Sequence, residues 1–241
     1  MTQLTTSKKN VIRILFVFFI FIIHFSCNKA QKTHEKINYI SANANIWHIE
    51  KFSEDLWITA DYNGNVALRN INSGENNWSY SANAFVFDLK TGDLNLDGKQ
   101  ETVLVTALGE LIVLDADGNK NWGIQSKLPL YNVGIGNFSA DEKLEIVCGG
   151  IDRHVYVFDL EGNQIGKSEK VERLVHRIAV GNLNDDEYDE IIVIEARTIA
   201  NCMEFENNNF QSAWRKQLKV PDELINWENP RGSFFPFSIV I

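Results

Sequence analysis

GDLNLDGKQETVLV, residues 92–105, decides the fold, because its frame returns twice further along the chain. The later copies are GNFSADEKLEIVCG at 136–149 and GNLNDDEYDEIIVI at 181–194, which begin 44 and 45 residues after the copy before. Each copy is a polar loop that ends in an acidic residue and enters an apolar run rich in β-branched side chains. A fixed period of this length indicates stacked repeat units.

The segments around each loop predict three further strands per unit. A short apolar segment precedes every loop, as in FVFDLKTG at 85–92. The strand that follows the loop leads into a hairpin whose turn carries Asp-Gly, Glu-Gly or Ser-Gly, as in ELIVLDADGNKNW at 110–122. Four short antiparallel strands in about 45 residues is the repeat expected of a β-propeller blade. The sequence therefore predicts an all-β fold, a β-propeller of four-stranded antiparallel blades.

The repeat frame accounts for about four blades, which predicts a partial propeller. The approximate blade bounds are 46–83, 84–129, 130–174 and 175–219. Residues 220–241 are expected to start a further blade or to form a strand that closes the ring. The first interpretation implies a truncated product of a longer propeller, and the second a terminal strand that joins the first blade.

The N-terminus has the pattern of an export signal. Three basic side chains precede an unbroken apolar run at 14–23. Ten apolar residues rise only about 15 Å as a helix, half of a hydrocarbon core of roughly 30 Å, which makes a permanent span the weaker interpretation. Ser26-Cys27 resembles the cleavage site of a bacterial lipoprotein, in which the cysteine receives the lipid, while an ordinary signal peptide stays open. We expect a signal at 1–26, a lipid anchor at Cys27, a polar tether at 27–45, and a location in the cell envelope, periplasmic or surface-exposed.

The charge of the chain bears on its partners. Removal of the signal leaves 20 basic and 32 acidic side chains, a net charge of −12. Such a balance disfavours nucleic acid, and we expect membrane contact through the lipid anchor only. Cys148 and Cys202 lie in apolar segments and are expected to be buried thiols, with a disulfide as the open alternative.

The loop at 92–101 has oxygen-bearing side chains at alternate positions, with Gly98 allowing a sharp turn. This spacing can wrap oxygens around a hard cation, and calcium is the ion that such donors favour. Four side chains and one backbone carbonyl would supply the oxygens: Asp93, Asn95, Asp97, Glu101 and the C=O of Lys99. The alternative is a surface turn rich in Asn, Asp and Gly that holds no metal.

The same loop resembles the FG-GAP or VCBS-type repeats of integrin-like β-propellers, in which a D-x-[DN]-x-D-G-x-x-[DE] calcium loop joins the first two strands of a blade. The first loop matches that pattern position by position. In the second loop the corresponding residues are Asn137, Ser139, Asp141 and Glu145, with Glu142 in place of the glycine. In the third they are Asn182, Asn184, Asp186 and Glu190, with Glu187 in place of the glycine. The resemblance implies structural calcium in the first loop and a weaker site, or none, in the third.

Tryptophans near the ends of the units carry a second resemblance. Trp78 and Trp122 end the motifs NNW and KNW. They are similar to the tryptophans of PQQ-like propeller repeats, which dock neighbouring blades, and Trp214 is expected to be a third. The third unit has Gly166 at this place. The resemblance concerns blade form and implies no bound quinone.

An aromatic or imidazole side chain precedes a polar one at the same place in every unit. The four pairs are Trp47-His48, Phe87-Asp88, Tyr131-Asn132 and His176-Arg177. Aromatic faces beside hydrogen-bonding groups suit sugars or peptide segments, which predicts a ligand ring at the mouth of the channel. The alternative is that these side chains fill the space between blades.

These features favour a lipid-anchored, calcium-stabilised propeller that binds a protein or glycan and has no chemistry of its own. The rival hypothesis is a carbohydrate-active enzyme, such as a polysaccharide lyase, in which base and charge-stabilising roles fall to His48, Asp88, His176 and Arg177. The sequence carries no Ser/His/Asp, paired-cysteine zinc or phosphate-loop pattern that would identify a reaction.

Overall fold

The computed structural model describes residues 44–139, 143–195 and 199–218. The predicted signal, Cys27, most of the predicted tether and residues 219–241 lie outside these ranges. The elements within them are β-strands joined by turns and loops. This part of the chain has no helix that is long and apolar enough to cross a membrane.

The described strands form four antiparallel sheets, each built from four strands that are consecutive along the chain. The first sheet comprises β1 (Ile46–Lys51), β2 (Leu56–Asp61), β3 (Asn65–Asn70) and β4 (Asn76–Ser81). The second comprises β5 (Val86–Gly92), β6 (Glu101–Thr106), β7 (Glu110–Leu114) and β8 (Lys120–Gln125). The third comprises β9 (Leu130–Gly136), β10 (Glu145–Gly150), β11 (Val155–Phe158) and β12 (Gln164–Lys167). The fourth comprises β13 (Val175–Gly181), β14 (Glu190–Glu195), β15 (Ile199–Glu206) and β16 (Asn209–Gln217).

Burial differs between the second strand of a sheet and its fourth, outer strand. Every residue of β6, β10 and β14 is buried, whereas β4 and β8 alternate between half-buried and exposed residues. A strand covered on both faces is mostly apolar, and a strand with one wet face needs only alternate apolar positions. This difference explains why the run after each repeated loop is continuously apolar.

The sheets stack as successive blades. The first strands of neighbouring sheets lie side by side, β1 with β5, β5 with β9 and β9 with β13. Each pair of neighbouring blades shares a buried apolar cluster. One such cluster joins Ile58 and Leu68 of the first blade to Leu89 and Leu104 of the second. The prediction of a β-propeller made of four-stranded antiparallel blades is confirmed, and the described part contains four blades.

Two tryptophans lock the first three blades together. Trp78 on β4 donates its indole N–H to the carbonyl of Ala116 at 3.0 Å, and Trp122 on β8 donates to the carbonyl of Leu160 at 2.7 Å. Each ring covers the turn glycine of the next blade. A Cβ atom on Gly118 would lie 2.5 Å from the ring of Trp78, and one on Gly162 would lie 3.0 Å from the ring of Trp122. Both glycines have a positive φ, 81° and 84°, which other residues rarely adopt.

At the junction between the third and fourth blades, the earlier blade supplies the glycine and the later blade supplies the aromatic ring. Gly166 stands where the first two units have tryptophan, and a Cβ atom there would lie 2.3 Å from the ring of Phe205 in the fourth blade. Phe205 also packs against Phe210, with ring centroids 4.9 Å apart. Trp214 lies on β16 and is 36% exposed, with Lys216 Nζ at 5.1 Å from its ring centroid.

The antiparallel order places the connections at two ends of the blades. The loop end carries the three repeated loops and the turns between third and fourth strands. The linker end carries the turns between second and third strands and the segments that lead from one blade to the next. The first two inner strands run in the same direction, since the Thr91 hydroxyl, near the end of β5, donates to the carbonyl of Lys51 at the end of β1.

Candidate functional site

The first repeated loop is held by hydrogen bonds from its own backbone. Asp93 accepts the N–H of Asp97 at Oδ1 (3.0 Å) and the N–H of Gly98 at Oδ2 (2.9 Å). Asn95 Oδ1 also accepts the N–H of Asp97 at 2.9 Å, and Asp97 Oδ1 accepts the N–H of Lys99 at 2.8 Å. Gly98 turns the chain with a φ of 84°. Asp93, Asn95 and Asp97 thus each accept a backbone N–H of the same tight loop.

A glutamate closes all three loops in the same way. Glu101, Glu145 and Glu190 are buried, and each accepts the backbone N–H of the residue two places after the loop glycine. These acceptor distances lie between 2.6 and 2.9 Å. Burial raises the pKa of Glu101, and the carboxylates of Asp97 and Asp93 raise it further against the lowering by the N–H of Leu94. The glutamate therefore has a structural task in every loop, with or without an ion.

The second and third loops are joined to each other. Asn137 donates its backbone N–H to Asp189 Oδ2 and accepts the N–H of Asp189, both at 2.9 Å. Its side-chain amide donates to the carbonyl of Glu187 at 2.9 Å. Ser139 donates its hydroxyl to Glu145. Asp141 and Glu142 lie outside the described residues.

The third loop is closed by amide groups. The side-chain amide of Asn182 donates to the carbonyl of Asp186, and that of Asn184 donates to Asp186 Oδ2 at 2.8 Å. Asn182 Oδ1 accepts the N–H of Asp185 at 2.8 Å. The third loop is thus held by hydrogen bonds among its own side chains and backbone.

The donor set of the first loop is the one that fits calcium. It offers two aspartates, an asparagine oxygen, a glutamate and a backbone carbonyl, all hard oxygen ligands, and carboxylate oxygens that accept one hydrogen bond keep further lone pairs. In the part of the chain that the structure describes, no three His, Cys, Asp or Glu side chains are grouped so that they could hold a metal ion. The second and third loops fit less well, because each has asparagine in place of Asp93 and glutamate in place of Gly98.

Three of the four polar members of the predicted ligand ring contact a neighbouring blade. His48 Nδ1 lies 3.6 Å from Asp88 Oδ1, and Asp88 Oδ2 accepts the N–H of Val133 at 3.2 Å. Asn132, which is buried, donates its amide to the carbonyl of His176 at 2.7 Å. Arg177 donates to the same carbonyl at 3.3 Å. The contacts of His48, Asp88 and Asn132 thus run between blades, whereas that of Arg177 stays within its own strand.

The aromatic members form part of a larger surface, which we call the aromatic row. Five rings follow one another with centroid separations between 4.9 and 5.4 Å: Trp47, Tyr62, Phe85, Phe87 and Tyr131. Trp47 is 47% exposed and Tyr62 is 50% exposed, and the other three rings are half-buried. The row crosses three blades at the linker end, and Trp47, Phe87 and Tyr131 each stand second in an inner strand.

Two members of the aromatic row were missed by sequence reasoning. Phe85 lies directly before β5, two residues from Phe87, so the alternation of a strand could have placed both rings on one face. Tyr62 lies in the turn between β2 and β3, and no repeated motif marks it. His176 occupies the ring position in the fourth blade.

A cavity of about 590 Å³ lies at the linker end between the second and third blades. One wall is the end of β8 with the segment that follows it, and the other is formed by the turn after β10 with β11 and β12. Leu130, Cys148 and Phe158 are buried residues of its lining. Cys148 and Cys202 are both free thiols, and burial raises the pKa of both, that of Cys202 to about 11.

Residues 56–173 match the family model described as the lambda-carrageenase beta-propeller domain. The match runs from β2 of the first blade to the segment after β12 of the third. A search of the curated proteins found no match.

Solved β-propellers resemble the chain in fold. The computationally designed Ika8 protein is similar over 73% of this chain and 51% of its own, at 14% identity and a TM-score of 0.56. The Pan2 WD40 domain of Neurospora crassa is similar over 72% of this chain and 50% of its own, at 10% identity and a TM-score of 0.55. The WD40 β-propeller domain of Doa1 is similar over 65% of this chain and 49% of its own, at 18% identity and a TM-score of 0.52. The chain spans about half the length of these structures, and identities this low show the β-propeller fold alone.

Proposed function

We propose that this β-propeller is an exported, lipid-anchored module that binds a glycan through the aromatic row. The observation that carries the proposal is the unbroken contact of five rings, with Trp47 and Tyr62 about half exposed. Aromatic faces bury the C–H faces of sugar rings, while neighbouring polar groups meet the hydroxyls. The match to the propeller domain of a carrageenase supports a glycan over a protein as the ligand.

Calcium in the first loop is part of the same proposal. Asp93, Asn95, Asp97, the carbonyl of Lys99 and Glu101 would hold it. A bound calcium ion supplies positive charge that neutralises carboxylates which otherwise repel one another. The pattern shared with FG-GAP and VCBS-type repeats supports this role, and the loop joins two strands of one blade, where such an ion stabilises the fold.

A carbohydrate-active enzyme is the second candidate, and the same family match favours it. The contacts of the polar ring residues favour binding instead. Asp88 is buried and accepts the N–H of Val133 in the next blade, which leaves it poorly placed to exchange protons with a substrate. Release of new reducing or unsaturated sugar ends by the purified full-length protein would select the enzyme.

A glycan array probed with the full-length protein tests the binding function. We expect Trp47→Ala and Tyr62→Ala each to lower the affinity for the identified glycan about tenfold, because each removes a stacking surface. Trp214→Ala is the matched control, since Trp214 is a partly exposed tryptophan outside the aromatic row. Absence of carbohydrate binding, or wild-type affinity in Trp47→Ala, would overturn the proposal.

A further inference from the structure

The first blade exposes an apolar side chain at a position that is buried between blades elsewhere. In every inner strand this position follows the polar member of the predicted ligand ring. Leu89, Val133 and Ile178 hold it in the later blades and are buried in the clusters shared with the preceding blade. Ile49 holds it in the first blade and is 50% exposed, because no described blade precedes the first. The first blade therefore keeps an apolar surface on the side where a preceding blade would lie.

The fourth blade exposes the complementary position on its opposite side. The second residue after each loop glycine is apolar. Leu94 and Phe138 hold this position in the first two loops and are buried in the clusters shared with the next blade. Leu183 is the equivalent residue of the third loop and is 42% exposed, since no further blade follows within the described residues.

Trp214 repeats the tryptophan lock of the first two junctions. Trp78, Trp122 and Trp214 each pair with the third-strand residue at which the register shifts. The first two rings cover a glycine turn of the next blade, whereas Trp214 remains partly exposed. The fourth blade thus carries two of the features that dock a following blade, one at the loop and one on the outer strand.

The first blade has a glycine turn of the kind that these tryptophans cover. Gly74 has a φ of 76° and donates its N–H to the carbonyl of Asn70 at 2.8 Å, which closes the turn as in those of Gly118 and Gly162. The turn is one residue longer than the later two. Ile71, which stands where the acceptor of the indole N–H stands at the other junctions, is 37% exposed. The turn therefore offers an apolar side chain and a carbonyl to a tryptophan from outside.

We propose that the fourth blade of one copy docks on the first blade of a second copy, so that two copies of the four described blades close a ring of eight. Leu183 and Trp214 of each copy then pack on the first blade of the other and cover its Ile49 and its Gly74 turn, which continues the arrangement that joins blades within one copy. Propellers have about four to eight blades. The chain spans about half the length of the solved propellers that it resembles, so two copies match one such ring.

The existing junctions predict which residues meet across the new one. The residue directly before the second strand donates its N–H to the loop of the preceding blade, Leu144 to the carbonyl of Leu94 at 3.4 Å and Asp189 to that of Asn137 at 2.9 Å. Asp55 stands directly before β2 in the first blade. We therefore expect Asp55 of one copy to lie beside the third loop of the other, close to Leu183.

Sedimentation velocity of the full-length protein in detergent tests the assembly. We expect a dimer as the largest species at every concentration, because a closed ring leaves no docking face free. Leu183→Asp and Ile49→Asp should each weaken dimerisation roughly tenfold or more, since each places a carboxylate in an apolar contact. Leu108→Asp is the matched control, because Leu108 is an exposed leucine in the turn between β6 and β7, outside both docking surfaces.

Cross-linking tests the identity of the two faces. The double variant Asp55→Cys, Leu183→Cys should form a disulfide-linked dimer on oxidation, whereas neither single variant should. A monomer, a dimer that survives both aspartate variants, species larger than a dimer, or a double cysteine variant that stays unlinked would each overturn the inference. An unchanged circular dichroism spectrum confirms that the variants fold, since Ile49 and Leu183 are exposed within one copy.

Discussion

The loop end and the linker end of the blades use the same kinds of side chain in different ways. At the loop end, Asp93 and Asp97 accept N–H groups of their own loop, and Trp78 is fixed by a carbonyl of the next blade. At the linker end, Trp47 is half exposed and Lys167 has an aromatic neighbour but no carboxylate partner within the described residues. The difference teaches that these loop-end groups are engaged within the protein, whereas Trp47 and Lys167 keep exposed surface at the linker end, where Asp88 and Asn132 also join blades.

The largest expected effect separates two tryptophans at opposite ends. Trp78→Ala should lower the free energy of unfolding by about 2 to 4 kcal/mol, because it empties the space over Gly118 and removes a hydrogen bond to Ala116. Trp47→Ala should cost less than about 1 kcal/mol, since nearly half of that side chain is already exposed. Urea denaturation of both variants measures the difference. Equal losses would contradict the division of roles between the two ends.

The second prediction concerns calcium at the loop end. Asp97→Ala should abolish the difference in thermal stability between calcium and chelator, a difference of about 2.7 kcal/mol if calcium is present at 100 times its dissociation constant. Asp186→Ala, the equivalent change in the third loop, is the control. It should lower stability by the same amount in both conditions, because amide hydrogen bonds hold that loop. Equal shifts for Asp97→Ala in calcium and chelator would refute the calcium assignment.

The smallest expected effect lies between the two ends, at Asp88. Burial raises the pKa of Asp88, against lowering by Lys90, His48, the N–H of Val133 and Arg177. The folded protein therefore holds this proton at a pH where the unfolded chain has lost it. The stability that Asp88 contributes is complete below the unfolded pKa of about 3.9 and is lost as the pH rises through the raised folded value.

Replacement of Asp88 by Asn should flatten the fall of stability with pH in that window, by less than about 1.4 kcal/mol per pH unit. Lys90→Gln should instead move the fall of stability to higher pH, because removal of this cation raises the folded pKa of Asp88 further. Thermal unfolding over a pH series measures both. Identical profiles for wild type and Asp88→Asn would show that Asp88 titrates alike in the folded and unfolded chain.

Features of the loop end could be predicted because they repeat. The frame that begins at Gly92 recurs at Gly136 and Gly181, so position along the repeat implied strand order and loop placement. The turn glycines Gly118 and Gly162 follow the same logic, since only residues tolerant of a positive φ serve there. The tie between Asn137 and Asp189 was not predictable, because it joins positions that differ within their repeats.

Features of the linker end depend on how blades pack and escape a repeat alignment. Lys127 follows the outer strand of the second blade and Lys167 lies on the outer strand of the third, so nothing in the sequence indicates that they share a cavity. The polar ring positions were visible, but the alignment gave no sign that Asp88 and Asn132 would bond to the next blade. Packing between repeats decides which of two plausible roles each side chain takes.

The reversed junction at Gly166 and Phe205 has a consequence for folding. A tryptophan-bearing blade needs a neighbour with a glycine turn, and the blade that carries Gly166 needs one that supplies a phenylalanine. If the second blade stacked on the fourth, Trp122 and Phe205 would compete for one space, and if the third blade stacked on a glycine turn, the same space would be left empty. Mismatched shapes of this kind disfavour wrong pairings among similar repeats. The interruption of the tryptophan pattern thus gives each blade a distinguishable neighbour, and the correct sequence of blades becomes easier to reach from the unfolded chain.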